Sequence, residues 1–178
     1  MTHRLLFGVL LALGLVAGAQ GRTFRATVTH VTDGDTIWVR PASGGAPLAI
    51  RLQGLDAPEI CQVFGEASRD ALARRLLKRQ VKVVAKAQDS YDRALGKVTL
   101  DGADVGAWLV ERGYAWSNRF RTNTGPYTDE EKQARRARRG LWKADGPEEP
   151  REFRKRHGSC YGNRQEPEPE PEPEQEAR

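Results

Sequence analysis

The sequence predicts a mainly β domain with packed helices, an α+β fold. Short β-prone runs fill the first half of the chain, and amphipathic helices follow without a βαβ rhythm. Turn sequences punctuate the runs at Asp33-Gly34-Asp35, Ser43-Gly44-Gly45 and Asp101-Gly102. The chain has 178 residues, enough for one domain with appendages.

The order of elements begins with a leader. His3 and Arg4 supply a positive start, Leu5 to Val16 are apolar apart from two glycines, and Ala17-Gly18-Ala19 has the small-residue form of a cleavage site. Residues 1–19 therefore read as a secretory signal peptide, with an uncleaved anchor as the alternative. Residues 20–164 form the domain. Phe24 to Thr32 alternates, with Phe24, Ala26, Val28 and His30 on one face. Thr36 to Arg40 and Leu48 to Leu52 are the next two strands, which makes a three-strand meander. Ser68, Ala71, Leu72 and Leu76 put one face of a helix over about 66–78. Val81 to Val84, Lys97 to Leu100 and Ala103 to Val105 add strands. A short helix carrying Trp108, Leu109 and Val110 starts near Gly106 and ends at Gly113. A last helix starts at Thr128, with Glu131 placed for a capping box, and ends near Gly140. About five short strands and three helices suit a small β-barrel, for which the OB-fold is the natural candidate.

Charge is segregated along the chain. The formal net charge is +5, but residues 165–178 alternate Glu and Pro and carry six Glu against one Arg. Residues 1–164 therefore carry +10. A body this basic suits a polyanion or an anionic surface. The acidic Glu/Pro tail reads as extended, disordered and solvated, either as an inert solubility tail or as a competitor for the basic body. Five basic residues from Lys132 to Arg139 read either as a solvated helix face or as an added nucleic-acid surface.

Composition also excludes chemistries. Three His and two Cys provide no four-ligand zinc cluster, and no Gly-rich loop ends in Gly-Lys-Ser/Thr. Trp38, Trp108, Trp116 and Trp142 are core or semi-core aromatics. Cys61 and Cys160 are the only cysteines. In an oxidising compartment they would pair rather than stay free, at a value of up to ~4–5 kcal/mol from closing so long a loop. Such a bond would pin the C-terminal segment near Glu59.

Four clusters carry candidate chemistry: Asp33-Gly34-Asp35-Thr36, Arg51, Asp56-Ala57-Pro58-Glu59, and Asp89-Ser90-Tyr91-Asp92-Arg93. In the folded meander Asp35 and Asp56 fall at strand ends on one edge. Two carboxylates brought together repel unless a cation joins them, and a hard divalent ion accepts carboxylates, a carbonyl and waters. Glu59 is three residues beyond Asp56, where it could hold or deprotonate a water. Arg51 and Arg93 supply planar forks for a phosphodiester that gains charge in its transition state.

The set and its order resemble the staphylococcal nuclease (thermonuclease) family. The resemblance covers Phe24 to Trp142 and includes Tyr91-Asp92-Arg93, Leu109-Val110 with Gly113, and Gly140-Leu141-Trp142. It implies an OB-fold five-stranded barrel plus three helices. It implies Ca²⁺ held by Asp35, Asp56 and the Ala57 carbonyl, with Asp33 bracing the ligands. It implies Glu59 as general base or water-orienting group, and Arg51 and Arg93 on the scissile phosphate. The implied activity is cleavage of DNA and RNA to 3′-phosphate ends. Nucleic acid is the implied substrate. Nothing in the sequence suggests an obligate protein partner or a membrane beyond the leader, so a monomer is the default expectation.

The chain departs from the family pattern at several positions. Ala57 stands for a Thr, Ser90 for a Lys and Asp92 for a turn Gly. Tyr91 is kept, but Arg119 and Arg121 stand where two pocket tyrosines are usual, which exchanges stacking for phosphate or cation–π contact. A non-catalytic nucleic-acid-binding OB-fold module and a basic surface protein for anionic polymers are the alternatives. The first fits poorly with all five of Asp35, Arg51, Asp56, Glu59 and Arg93 being present. The second leaves the carboxylates unexplained.

Overall fold

The computed structural model describes residues 21–91, 93–119 and 124–161. Residues 1–19, expected to be a leader, the acidic stretch 165–178, Asp92 and Arg121 lie outside the described residues. Strands β1 (Arg22–Val31), β2 (Thr36–Pro41) and β3 (Leu48–Leu52) form the antiparallel meander that the sequence predicts. β4 (Leu55–Asp56) follows, and then helix α1 (Gly65–Leu76). β5 (Gln80–Gln88) pairs with β1, and β6 (Ala94–Leu100) pairs with β5. β6 then runs parallel to β3, with Arg51 opposite Leu95, and this seam closes a five-stranded barrel. The architecture is that of an OB-fold.

The barrel core follows strand alternation. Ala26 and Val28 of β1, Ile37 and Val39 of β2, Ile50 and Leu52 of β3, Val81 and Val83 of β5 and Val98 of β6 are all buried. One departure from alternation lies in β1. The pairing register with β2 shifts between Val28 and His30, so Val31 turns into the core and His30 is only half-buried. A bulge of this kind adds a residue to one strand and moves the following side chains to the other face.

The remaining elements cover the barrel. β7 (Ala103–Asp104) turns back to pair antiparallel with the end of β6, and α2 (Val105–Glu111) begins at once. Its N-cap is the Asp104 carboxylate, which accepts from the Gly106 and Ala107 N–H groups at 2.8 and 3.2 Å. β8 (Trp116–Ser117) pairs with β4 and so places Asp56 opposite Trp116. α3 (Thr128–Arg136), a short 3-10 turn (Gly140–Lys143) and α4 (Pro150–His157) are the last elements among the described residues. The sequence reading contains three helices and no α4. The signs of α4 are proline at the first helical position, basic residues in the last turn and Gly158 just beyond it.

The capping box at Thr128 does not form. Thr128 is already helical, and its hydroxyl donates to the carbonyls of Thr124 and Gly125. Glu131 is buried and turned elsewhere, because its carboxylate accepts from the Ser117 N–H at 2.9 Å, Arg119 at 2.7 Å and Arg135 at 2.8 Å. A buried charge needs such partners more than a helix end needs a reciprocal cap. Arg135 also stacks on Trp142, 3.7 Å above the ring, and Trp142 meets Trp116 edge to face. Gly113 and Gly140 both take positive φ where their backbones touch, and the Leu141 N–H donates to the Gly113 carbonyl. A Cβ on Gly113 would lie 2.3 Å from the Arg139 carbonyl oxygen, which explains glycine there.

Two predictions follow from this packing. Glu131→Ala leaves a buried N–H and two guanidinium groups without their acceptor, and costs about 2–3 kcal/mol by denaturant titration. Gly34 is pressed between α1 and the loop after β4, where an added Cβ would sit 2.2 Å from Ser68 Oγ and 2.6 Å from Ala57 Cβ. Gly34→Ala therefore destabilises by about 1–3 kcal/mol in the same measurement.

Candidate active site

The candidate site gathers at one end of the β2–β3 hairpin. Thr36 and Arg51 are register partners across that hairpin, so the Asp33–Asp35 turn and the Arg51 side chain share one edge. The turn is internally fixed: Asp33 Oδ1 accepts the Asp35 N–H at 2.9 Å. Asp33 thus braces Asp35 through its backbone. The Leu52 N–H donates to the Asp35 carbonyl at 2.8 Å, which ties the turn to β3.

Arg51 joins the two aspartates. Its Nη1 donates to Asp35 Oδ1, and its Nη2 donates to Asp56 Oδ1 at 2.9 Å. The second Asp35 oxygen accepts the Ala57 N–H at 2.8 Å. Residues distant in the chain therefore meet around one guanidinium. Burial pushes the Asp35 carboxyl above its ordinary range, with Arg51 opposing the shift and the neighbouring Asp33 and Asp56 adding to it. Desolvation works against the charge on Arg51, but Asp35, Asp33, Asp56 and Glu59 together outweigh it and raise its pKa.

Arg93 reaches the same network from the position just before β6. Its Nε donates to Asp89 Oδ2 at 2.8 Å, and its Nη1 lies 3.4 Å from Thr36 Oγ1. Thr36 Oγ1 in turn donates to Asp35 Oδ1 at 3.3 Å. Burial raises the Asp89 carboxyl, but the N–H groups of Tyr91 and Arg93 and the Arg93 guanidinium more than offset this and hold it low. Tyr91 is three-quarters exposed, with Arg93 over its ring at 5.1 Å. Arg119 is engaged by Glu131 at 2.7 Å and approaches Glu149 at 4.0 Å.

Glu59 lies just beyond Asp56, on a loop held by its own contacts. Its N–H donates to Gln62 Oε1 at 3.1 Å, and Gln62 donates to the Glu148 carbonyl at 2.8 Å. Cys61 and Cys160 are disulfide-bonded, as the sequence suggests, with Cα atoms 5.7 Å apart. The bond brings α4 beside the loop and delivers a residue that the sequence reading lacks. Arg154 Nη1 donates to Glu59 Oε1 at 2.7 Å and Asp56 Oδ1 at 3.2 Å, and its Nη2 donates to Asp56 Oδ2 at 2.9 Å.

The donor set bears on which ion fits. Among the described residues no group of three or more His, Cys, Asp or Glu side chains is arranged to hold a metal. Asp35 and Asp56 offer two carboxylates, both within reach of the Arg51 guanidinium. Oxygen donors in this number fit a hard cation, Ca²⁺ or Mg²⁺, that keeps several waters, and they fit poorly with a zinc site.

Comparison with known proteins identifies the family. Residues 49–144 match the family model described as "Staphylococcal nuclease homologue". The chain is 34% identical over 143 residues to "Micrococcal nuclease" of Shigella flexneri, covering 74% of this chain and 81% of that one. It is 36% identical over 156 residues to "Protein ParB" of Escherichia coli, covering 82% and 87%. It is 35% identical over 113 residues to "Probable staphylococcal-like nuclease CAN1" of Oryza sativa subsp. japonica, covering 62% of this chain but 34% of that longer protein. By fold, site residues and these matches, the chain belongs to the staphylococcal nuclease family.

Proposed function

We propose that this protein is an exported, Ca²⁺-dependent nuclease that hydrolyses phosphodiester bonds of DNA and RNA and leaves 3′-phosphate ends. The observation that carries the reading is Arg51 bridging Asp35 and Asp56, with Arg93 and Glu59 joined to the same network. The relatives named as nucleases support the reaction class. The Cys61–Cys160 bond supports an oxidising compartment, in keeping with residues 1–19 as a leader.

Asp35, Asp56 and the Ala57 carbonyl would hold the ion, which when bound supplies positive charge to neutralise the reacting phosphate. Glu59 orients the attacking water and takes its proton. The water oxygen forms the new bond to phosphorus as the bond to the 5′-oxygen breaks, and the departing oxygen takes a proton from solvent to become a 5′-hydroxyl, while Glu59 returns its proton to solvent. Arg51 and Arg93 turn their forks onto the phosphate oxygens and carry the charge that gathers there. Arg93 starts from Asp89, so exchanging one oxyanion partner for another costs it little reorganisation. Tyr91, Arg119 and Arg121 would flank the nucleotide. The substrate is nucleic acid, and the protein acts as a monomer.

Cleavage of plasmid DNA and of RNA is expected in Ca²⁺ and absent in chelator, with 3′-phosphate and 5′-hydroxyl ends by end-labelling. Glu59→Gln lowers kcat about 10²-fold or more, and Arg93→Lys lowers it by about 10²-fold. Binding without cleavage in Ca²⁺ would instead favour a non-catalytic module. The exported protein is expected to begin at Gln20 by intact mass, and retention of residues 1–19 would refute the leader assignment.

A further inference from the structure

Asp56 is bonded on both oxygens by guanidinium groups. Arg51 shares Asp56 Oδ1 with Arg154, and Arg154 also holds Asp56 Oδ2 and Glu59 Oε1. These two arginines are anchored differently. Arg51 is on a barrel strand bonded on both sides, by β2 and by β6. Arg154 is on an eight-residue helix whose buried residues amount to Pro150. The helix is held beside the site by the Cys61–Cys160 bond, by Gln62 donating to the Glu148 carbonyl and by the Tyr161 hydroxyl donating to the Thr32 carbonyl at 3.3 Å. It is attached by tethers more than by apolar packing. The Arg154 side chain is also more exposed than that of Arg51, at 36% against 18%.

We propose that Arg154 is the resident counter-cation of this site, a tethered plug that a divalent ion must displace from Asp56 and Glu59. The inference rests on the cation reading given above. Three carboxylates, Asp35, Asp56 and Glu59, face two guanidinium groups across hydrogen bonds. A divalent ion at Asp35 and Asp56 competes with both for the same oxygens. Arg154 is the one whose attachment lets it leave. Displacing it also frees Glu59 for water, so ion binding and release of the general base are one event. The Cys61–Cys160 bond sets how strongly the plug competes, because a short tether keeps Arg154 at high effective concentration beside Asp56. Cation binding and plug docking are therefore reciprocally coupled: whatever loosens one strengthens the other. A role confined to holding α4 in place would alter stability and leave the ion affinity unchanged.

The test is calorimetric titration of Ca²⁺ into the full chain, without substrate. Arg154→Gln is expected to tighten the Ca²⁺ Kd by about 10-fold, in the range of typical coupling. Arg154→Lys, which keeps the charge, restores much of the weaker wild-type affinity. The double variant Cys61→Ser/Cys160→Ser, and the wild-type chain in reductant, tighten binding by a smaller factor. Asp56→Asn weakens binding in every background. Binding by the Arg154→Gln chain where the wild type shows none also supports the plug. If the wild type binds through Asp56 but Arg154→Gln leaves Kd unchanged or weaker, the plug is overturned and the cation site stands. If neither chain binds, with Asp56→Asn indistinguishable from both, the cation site falls and the plug falls with it.

Discussion

The site depends on one guanidinium. Arg51 lies between Asp35 and Asp56 and bonds to both. Without a positive group between them the two carboxylates would repel, and the turn after β1 and the loop after β4 would lose the ion pairs that join them. Asp33 bonding back to the Asp35 N–H and Ala57 donating to Asp35 Oδ2 show how much local backbone is fitted to this bridge. Gly34 completes the fit, since only hydrogen has room between Ser68 and Ala57. The bridge is therefore structural and chemical at once: the group that holds the carboxylates together is also the one whose fork suits a phosphate.

A second, smaller hub stabilises the other side of the domain. Glu131 accepts from β8 and from two arginines, and one of those arginines lies over Trp142. Because β8 pairs with β4, this hub positions the strand that carries Asp56. Arg119 belongs to this hub in the structure, bonded to Glu131 and near Glu149. An arginine at that position thus has an architectural partner whatever it also does for a substrate.

Much of this was legible in the sequence, and the illegible part has physical causes. The meander, the face of α1, the buried tryptophans and the disulfide follow from alternation, helical spacing and cysteine count, which are local or combinatorial signals. The convergence of Asp35, Arg51, Asp56 and Arg93 was readable through the family resemblance, because no local pattern encodes a parallel β3–β6 contact. The bulge in β1 was invisible, since β-branched and aromatic runs do not mark where one extra residue enters a ladder. Thr128 failed as a cap because its Glu131 partner was needed by a buried tertiary network that overrides a four-residue motif. Arg154 was missed because α4 is short, highly charged and almost without an apolar face. Its one long-range clue was Cys160, which pointed the segment at Glu59 without naming the residue that would arrive.

The parallel seam between β3 and β6 has a consequence for how the active form comes into being. Arg51 is on one strand of that seam, and Arg93 immediately precedes the other. Among the described residues it is the one parallel pairing, and it joins stretches more than forty residues apart, a non-local contact whose closure entropy must be met before it stabilises the barrel. Shutting the barrel and uniting the two forks are therefore the same molecular event. A chain whose barrel is still open along this seam therefore holds Arg51 and Arg93 on separate stretches, with nothing to bring them to one edge.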